Sequence, residues 1–181
     1  MGQYYLPVLE IKGEQKVYDN YADGDYMGAK LMEHSWWRNS FVLAVASKFW
    51  RTTGKLAWVG DYANEVLSED SEIWELRMAG ERDRELKYNG FRLEGKFFVN
   101  HTKGEFIGLD DYLAKAKEHN KIWVINPIPL LTAIGGQGGG DYRGKNSDKV
   151  GSWAWNDVEI TDGDMYSDYK DVTDQVIFWE E

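Results

Sequence analysis

The apolar positions fall in short blocks, and most blocks fit an extended backbone. Residues 3–11 (Q-Y-Y-L-P-V-L-E-I) are apolar on both faces of a strand. Pro7 removes a ladder donor there, which suits an edge position or a strand end. Gly13 and Glu14 predict a turn, with a short returning strand over 16–20. Residues 55–62 read as a strand ending at Gly60 and Asp61. The best period-two alternation spans 91–102. Phe91, Leu93, Gly95, Phe97, Val99 and His101 share one face, polar residues the other, and Phe98 is the exception. A turn at 103–104 leads to a hairpin partner over 105–109. Residues 121–133 predict a second long apolar strand, in which Pro127 and Pro129 take two donors from one edge. Two further strands are expected over 150–160 and 174–179.

Helical spacing is rarer. Asn39 or Ser40 can cap a helix to about residue 52, with Phe41, Val45 and Phe49 at i, i+4, i+8. Residues 69–79 form a weaker amphipathic segment with Ile73, Trp74 and Leu76, and Asp110 or Asp111 caps a short helix to His119. Many strands joined by short turns, with few helices, predict an α+β fold: a mainly antiparallel sheet with two or three helices packed on it, on one face. No internal repeat or long linker appears. The expected organisation is a single globular domain over 1–181 with an acidic C-terminal segment, since 150–181 holds nine Asp or Glu against one Lys.

Composition narrows the function classes. The 181 residues are 43% hydrophobic and 15% aromatic, so a substantial core can form and disorder is excluded. Most tryptophans (Trp58, Trp123, Trp153, Trp155, Trp179) lie in predicted strands and read as core. Trp36 and Trp37, with the Trp153–Trp155 row, offer an aromatic patch instead. The absence of cysteine rules out disulfides and thiolate metal sites. A net charge of −10 disfavours generic DNA or RNA backbone binding and suits a basic protein partner or simple solubility. Neither a signal peptide nor a membrane helix is expected, so the expected location is cytoplasmic.

The most unusual stretch is 128–144, where five of the 19 glycines fall within positions 135–140. Residues 139–145 match G-x-x-x-x-G-K formally. Asn146 replaces the hydroxyl that would hold magnesium, and the chain continues toward a strand rather than a helix, so a nucleotide-hydrolysing phosphate loop is excluded. Two readings stay open. The glycine N–H groups can form an anion-binding concavity for a small nucleotide-like ligand, with Tyr142 or Trp153 stacking on a base. Alternatively, the loop simply packs on the sheet. Residues 19–28 invite a calcium-loop reading, but Tyr21 and Lys30 stand where ligands are needed.

Chemistry for catalysis is sparse. His119 sits at a helix end, where it offsets the dipole. His101 at a strand end, with Asp61 and Asp141, offers a metal or acid–base constellation that would make the chain a small hydrolase of a nucleotide-derived compound; the other reading of His101 is a structural, hydrogen-bonded histidine. No G-x-S-x-G or H-E-x-x-H is present.

G-Q-Y-Y at 2–5, K-L-M-E-H-S at 30–35, W-V-G-D-Y-A at 58–63, V-N-H-T at 99–102, P-L-L-T-A at 129–133, G-G-G-D-Y-R-G at 138–144 and V-G-S-W-A at 150–154 together resemble a family of small uncharacterised proteins of bacteriophages, prophages and bacterial genomes. The resemblance implies a phage-type accessory protein in the bacterial host cytoplasm, acting against host defence. Its partner would be a defence protein or a nucleotide signal, and a homo-oligomer is compatible. The expected ligand-binding residues are Glu33, His34, Asp61, Tyr62, His101, Gly138, Gly139, Gly140, Asp141 and Tyr142. No metal and no cofactor are expected.

Overall fold

A computed structural model describes residues 2–19, 30–68, 70–79, 81–120, 122–163 and 167–180. The calcium-loop segment lies almost wholly outside the described residues. Strand β1 (Tyr5–Ile11) turns at Lys12 and Gly13, both with positive φ (54° and 78°), into β2 (Glu14–Val17). Such a pair matches the twist of a two-residue hairpin. β3 (Gly54–Gly60) pairs antiparallel with all of β1. Pro7 lies inside β1 rather than at its end, opposite Trp58 of β3, and its carbonyl accepts from Tyr18 N at 3.1 Å, one step beyond the last β1–β2 pair, Val8–Val17. Its missing N–H therefore removes only a bond on the β2 side, where the β1–β2 ladder has run out.

The sheet continues through β4 (Phe97–Asn100), β5 (Glu105–Gly108), β6 (Ala133–Ile134), β7 (Asp157–Thr161) and β8 (Lys170–Asp171). The order is β2-β1-β3-β7-β4-β5-β8, with β6 also on β3. Among the described strands, the β3–β6 and β5–β8 pairings are parallel and the others antiparallel. The fold is α+β with a mostly antiparallel sheet. β6 and β7 share one edge of β3: β7 takes Gly54 and Lys55, and β6 takes Trp58 and Val59. The glycine run therefore leaves β6 at the Gly60 end of β3.

Helices α1 (Leu31–His34), α2 (Ser40–Ser47), α3 (Glu72–Met78), α4 (Leu109–His119) and α5 (Pro127–Leu131) complete the fold. Asn39 caps α2 by accepting from Val42 N at 3.0 Å, and Phe41 through Ala46 are buried. The helix stops at 47 rather than 52 because its last turn tightens: Lys48 and Phe49 donate three residues back. The helices occupy both faces of the sheet. Tyr5, Leu9, Leu56 and Trp58 join the core built with α2, α4 and α5, whereas Leu6, Val8, Ala57 and Val59 pack with Ile73, Trp74 and Leu76 of α3. Among the described residues no helix is long and apolar enough to cross a membrane.

Several predicted strands shorten or disappear. Within 121–133, Pro127–Leu131 is a helix, and among the described residues only Ala133, which opens β6, is in a strand. Asn126 accepts from Ile128 N at 3.0 Å, and Pro127 opens α5. Both prolines fall in the first turn, where N–H groups have no intrahelical partner, so the missing donors favour a helix start. Only 97–100 of the predicted 91–102 strand pairs, because Gly95 turns with φ 75° and gives its N–H to Asp110 Oδ1 at 2.9 Å. Phe98 is fully buried, since β4 is covered on both faces. Residues 150–156 form turns, with Gly151 and Trp155 at positive φ, and Thr173–Gln175 is a 3-10 turn rather than a strand.

Candidate functional site

Residues 2 and 3 run alongside the glycine loop and bond to it. Gly2 bridges Gly139 in parallel, and Gln3 N donates to Gly139 O. The Gln3 side chain is fully buried. Its Nε2 donates to Asp141 Oδ1 at 2.6 Å, and its Oε1 accepts from Gly136 N at 3.2 Å. Tyr5 OH donates to the same Asp141 oxygen at 2.5 Å, and Gly138 N donates to Oδ2 at 3.1 Å. Gln137 N donates to Glu65 Oε2 at 2.8 Å. The residue type at 136 and 138 follows from this crowding. A Cβ at Gly136 would run into Tyr62 O, and one at Gly138 would sit 2.5 Å from Gln3 Cβ.

Three successive loop N–H groups thus already have oxygen partners, two of them carboxylates. A phosphate placed there would meet Glu65 and Asp141 head-on, so the loop lacks the electrostatics of an anion concavity. Burial, then the bond to Asp141, then the charges of Asp141 and Asp61 push the Tyr5 phenol far above its ordinary range. Tyr5 stays a neutral donor.

Asp61 belongs to this neighbourhood. Its Oδ1 accepts from Tyr4 N at 2.9 Å, and its own N–H donates to Tyr4 O at 3.0 Å. Tyr62 packs on Gly138 and presents its carbonyl to Gly136. Met32 N of α1 donates to Gly140 O at 3.2 Å, which brings Glu33 and His34 close by. Glu33 is engaged by Lys30 at 3.1 Å. His34 Nδ1 accepts from Lys30 N at 3.1 Å, and its ring lies 6.1 Å from Trp36. Burial lowers its pKa; Glu33 opposes the shift and Lys30 adds to it.

Two expected members do other work. Tyr142 is buried, with its hydroxyl 2.7 Å from the carbonyls of both Lys145 and Trp179 and its ring edge-on to Phe178. It ties the loop to the C-terminal segment. Trp153 is likewise buried and donates to Glu105 at 3.1 Å. His101 is elsewhere. Its N–H donates to Asp157 O, beside the Lys55 end of β3, while Asp61 follows the opposite end. Six strand steps separate those ends, roughly 20 Å. His101 Nε2 lies 2.9 Å from Glu159 Oε2, and Nδ1 lies 3.1 Å from Tyr169 OH. The His101–Asp61–Asp141 constellation therefore does not assemble. Among the described residues no group of three or more His, Asp or Glu is placed to hold a metal ion.

Gln3, Tyr5 and Glu65 were not singled out as site residues by the sequence. The G-Q-Y-Y motif at 2–5 was the available signal for the first two; Glu65 had none. An open cleft of about 520 Å³ adjoins the loop, between Asp141, Gly135, Gly136 and the apolar side chains of Leu31, Leu67 and Ile134.

A second surface feature is aromatic. Trp123, predicted as core, is 45% exposed, and its neighbour Ile122 is 92% exposed. Trp36 stacks on Trp123 with centroids 6.3 Å apart and planes 22° from parallel. Trp36 bridges Ile125, and Trp37 N donates to Val124 O at 2.7 Å, which fixes this pair beside α4. Leu113, Lys117 and Arg38 border a shallow apolar groove of about 250 Å³ there. Comparison with protein-family models, with curated proteins and with solved structures finds no match to this chain.

Proposed function

We propose that this chain is a phage-type accessory protein that inhibits a host antiviral system by binding a defence protein. The observation that carries the reading is the stacked Trp36–Trp123 pair, in which Trp123 and its neighbour Ile122 are exposed and Trp36 is half-buried. Stacked indoles held rigidly at a surface lose little conformational freedom on docking, and tryptophan and arginine dominate binding hot spots. Arg38 stands at the groove's rim. The acidic remainder of the chain favours encounter with a basic partner surface. The phage setting comes from the sequence resemblance alone.

Two alternatives have less support. Sequestration of a nucleotide signal at the glycine loop meets the carboxylates of Glu65 and Asp141. Hydrolysis by Asp61, His101 and Asp141 requires groups that lie at opposite ends of β3. The test is expression in bacterial strains that each carry one defence system, followed by phage plating. Restored plaquing in one strain, co-purification of that system's protein, and loss of both with Trp36→Ala/Trp123→Ala are expected. No restoration in any strain, or full restoration by the double variant, would count against the proposal.

A further inference from the structure

We infer that the cleft beside the glycine loop is a binding site for a small ligand carrying a protonated amine on an apolar body, with Asp141 as its anchor. The inference is independent of the aromatic face.

The cleft has the right size, at about 520 Å³, within the range of small-molecule sites. Leu31, Val66, Leu67, Ile134 and Val150 form an aliphatic part of its wall, able to cover a hydrocarbon body, and much of the rest of the lining is polar. One charged side chain, Asp141, lies in the lining. A carboxylate offers about four lone-pair positions. Among the described residues Asp141 meets three donors: Gln3 Nε2 and Tyr5 OH on Oδ1, and Gly138 N on Oδ2. Oδ2 therefore keeps one acceptor position. The three donors also hold the carboxylate in one orientation, so a ligand does not have to order it.

The sign of the ligand follows from the surroundings. Glu65 stands at the same loop through Gln137, and Asp61 is near enough to act on Tyr5 electrostatically. Lys30, whose side chain packs at Gly140, is engaged by Glu33 at 3.1 Å. An anion entering the cleft would be repelled, and a cation attracted. A charge-assisted hydrogen bond to a fixed carboxylate then gives the selectivity.

The probes are 3-phenylpropylamine and the matched acid 3-phenylpropionate, titrated into the full chain at pH 7 and followed by amide NMR. Saturating shifts centred on Gly135, Gly136, Asp141 and Ser147 are expected for the amine, at least about tenfold tighter than for the acid, as one charge-assisted bond implies. Val66→Ala, at an exposed wall position, should weaken the amine by a few-fold while the fold is retained. Asp141→Asn should abolish the preference for amine over acid. If that variant does not fold, the amine–acid comparison on the unaltered chain decides alone. Equal binding of both probes, shifts scattered over the surface, or a folded Asp141→Asn chain with unchanged preference would overturn the inference.

Discussion

At the scale of single residues, Asp141 joins more of the molecule than any other group in the loop region. It gathers Gln3, Tyr5 and Gly138. Replacing it with Ala leaves the buried Gln3 amide and Tyr5 hydroxyl without their acceptor. We expect Asp141→Ala to lower stability by roughly 2–4 kcal/mol, read from urea unfolding. Gly136→Ala should lose about 1–3 kcal/mol by driving a methyl group into Tyr62 O, in a scan where Gly108→Ala, whose Cβ would meet only ordinary contacts at 3.7–3.8 Å, loses less. The pH dependence has a defined sign. The Tyr5 and Tyr112 phenols are both raised by burial in the folded chain, so the native state holds their protons longer than the unfolded one. Their contribution is complete below the ordinary tyrosine value of about 10 and is lost progressively as pH rises above it. Unfolding midpoints measured from pH 8 to 11.5 should fall above pH 10, and Tyr5→Phe should flatten that fall. His34 acts at the other limb. Its lowered pKa gives stability that is present above about pH 6.5 and lost on further acidification.

At the scale of elements, α5 shows how one local signal reads two ways. Proline at 127 and 129 denies two donors to any sheet, and the same denial is harmless in the first turn of a helix. Asn126, fully buried, decides between them by capping Ile128 N. Asn126→Ala should cost about 1–2 kcal/mol, and Asn126→Ser less, in thermal melts of otherwise identical proteins. The other shortened strands have a common cause. Gly95, Gly151 and Trp155 take positive φ, and an alternation of apolar residues carries no information about where the backbone leaves the pleat. The β1–β2 hairpin, α2 with its Asn39 cap and the β4–β5 hairpin were legible because capping and turn chemistry are local.

At the scale of the whole molecule, the decisive contacts span most of the chain. Residues 2–3 meet 136–141, and Tyr142 and Lys145 meet Trp179. The N-terminus and C-terminus thus clamp the glycine loop from two sides. Deleting residues 1–4 should loosen that loop before it loosens the sheet. Hydrogen exchange at Gly136, Gln137 and Gly138 should rise by an order of magnitude or more, while amides of β1 and β3 keep their protection. Loss of protection throughout the sheet at the same time would contradict a separable clamp.

By itself the sequence determined the fold class, the mainly antiparallel sheet, the capped helix after Asn39 and the exclusion of a phosphate loop at 139–145. Each depends on periodicity, turn chemistry or a missing ligand within a few residues. The neighbours of Asp61, His101 and Asp141 were decided only in three dimensions. β6 adds to β3 in parallel at its Gly60 end, and β7 delivers His101 to the other, so motif residues of equal promise end roughly 20 Å apart. The glycines marked a close backbone approach correctly, but not what approaches. That place is filled by Gln3 and by the chain's own carboxylates, because satisfying buried N–H groups from within is the requirement the tertiary structure had to meet.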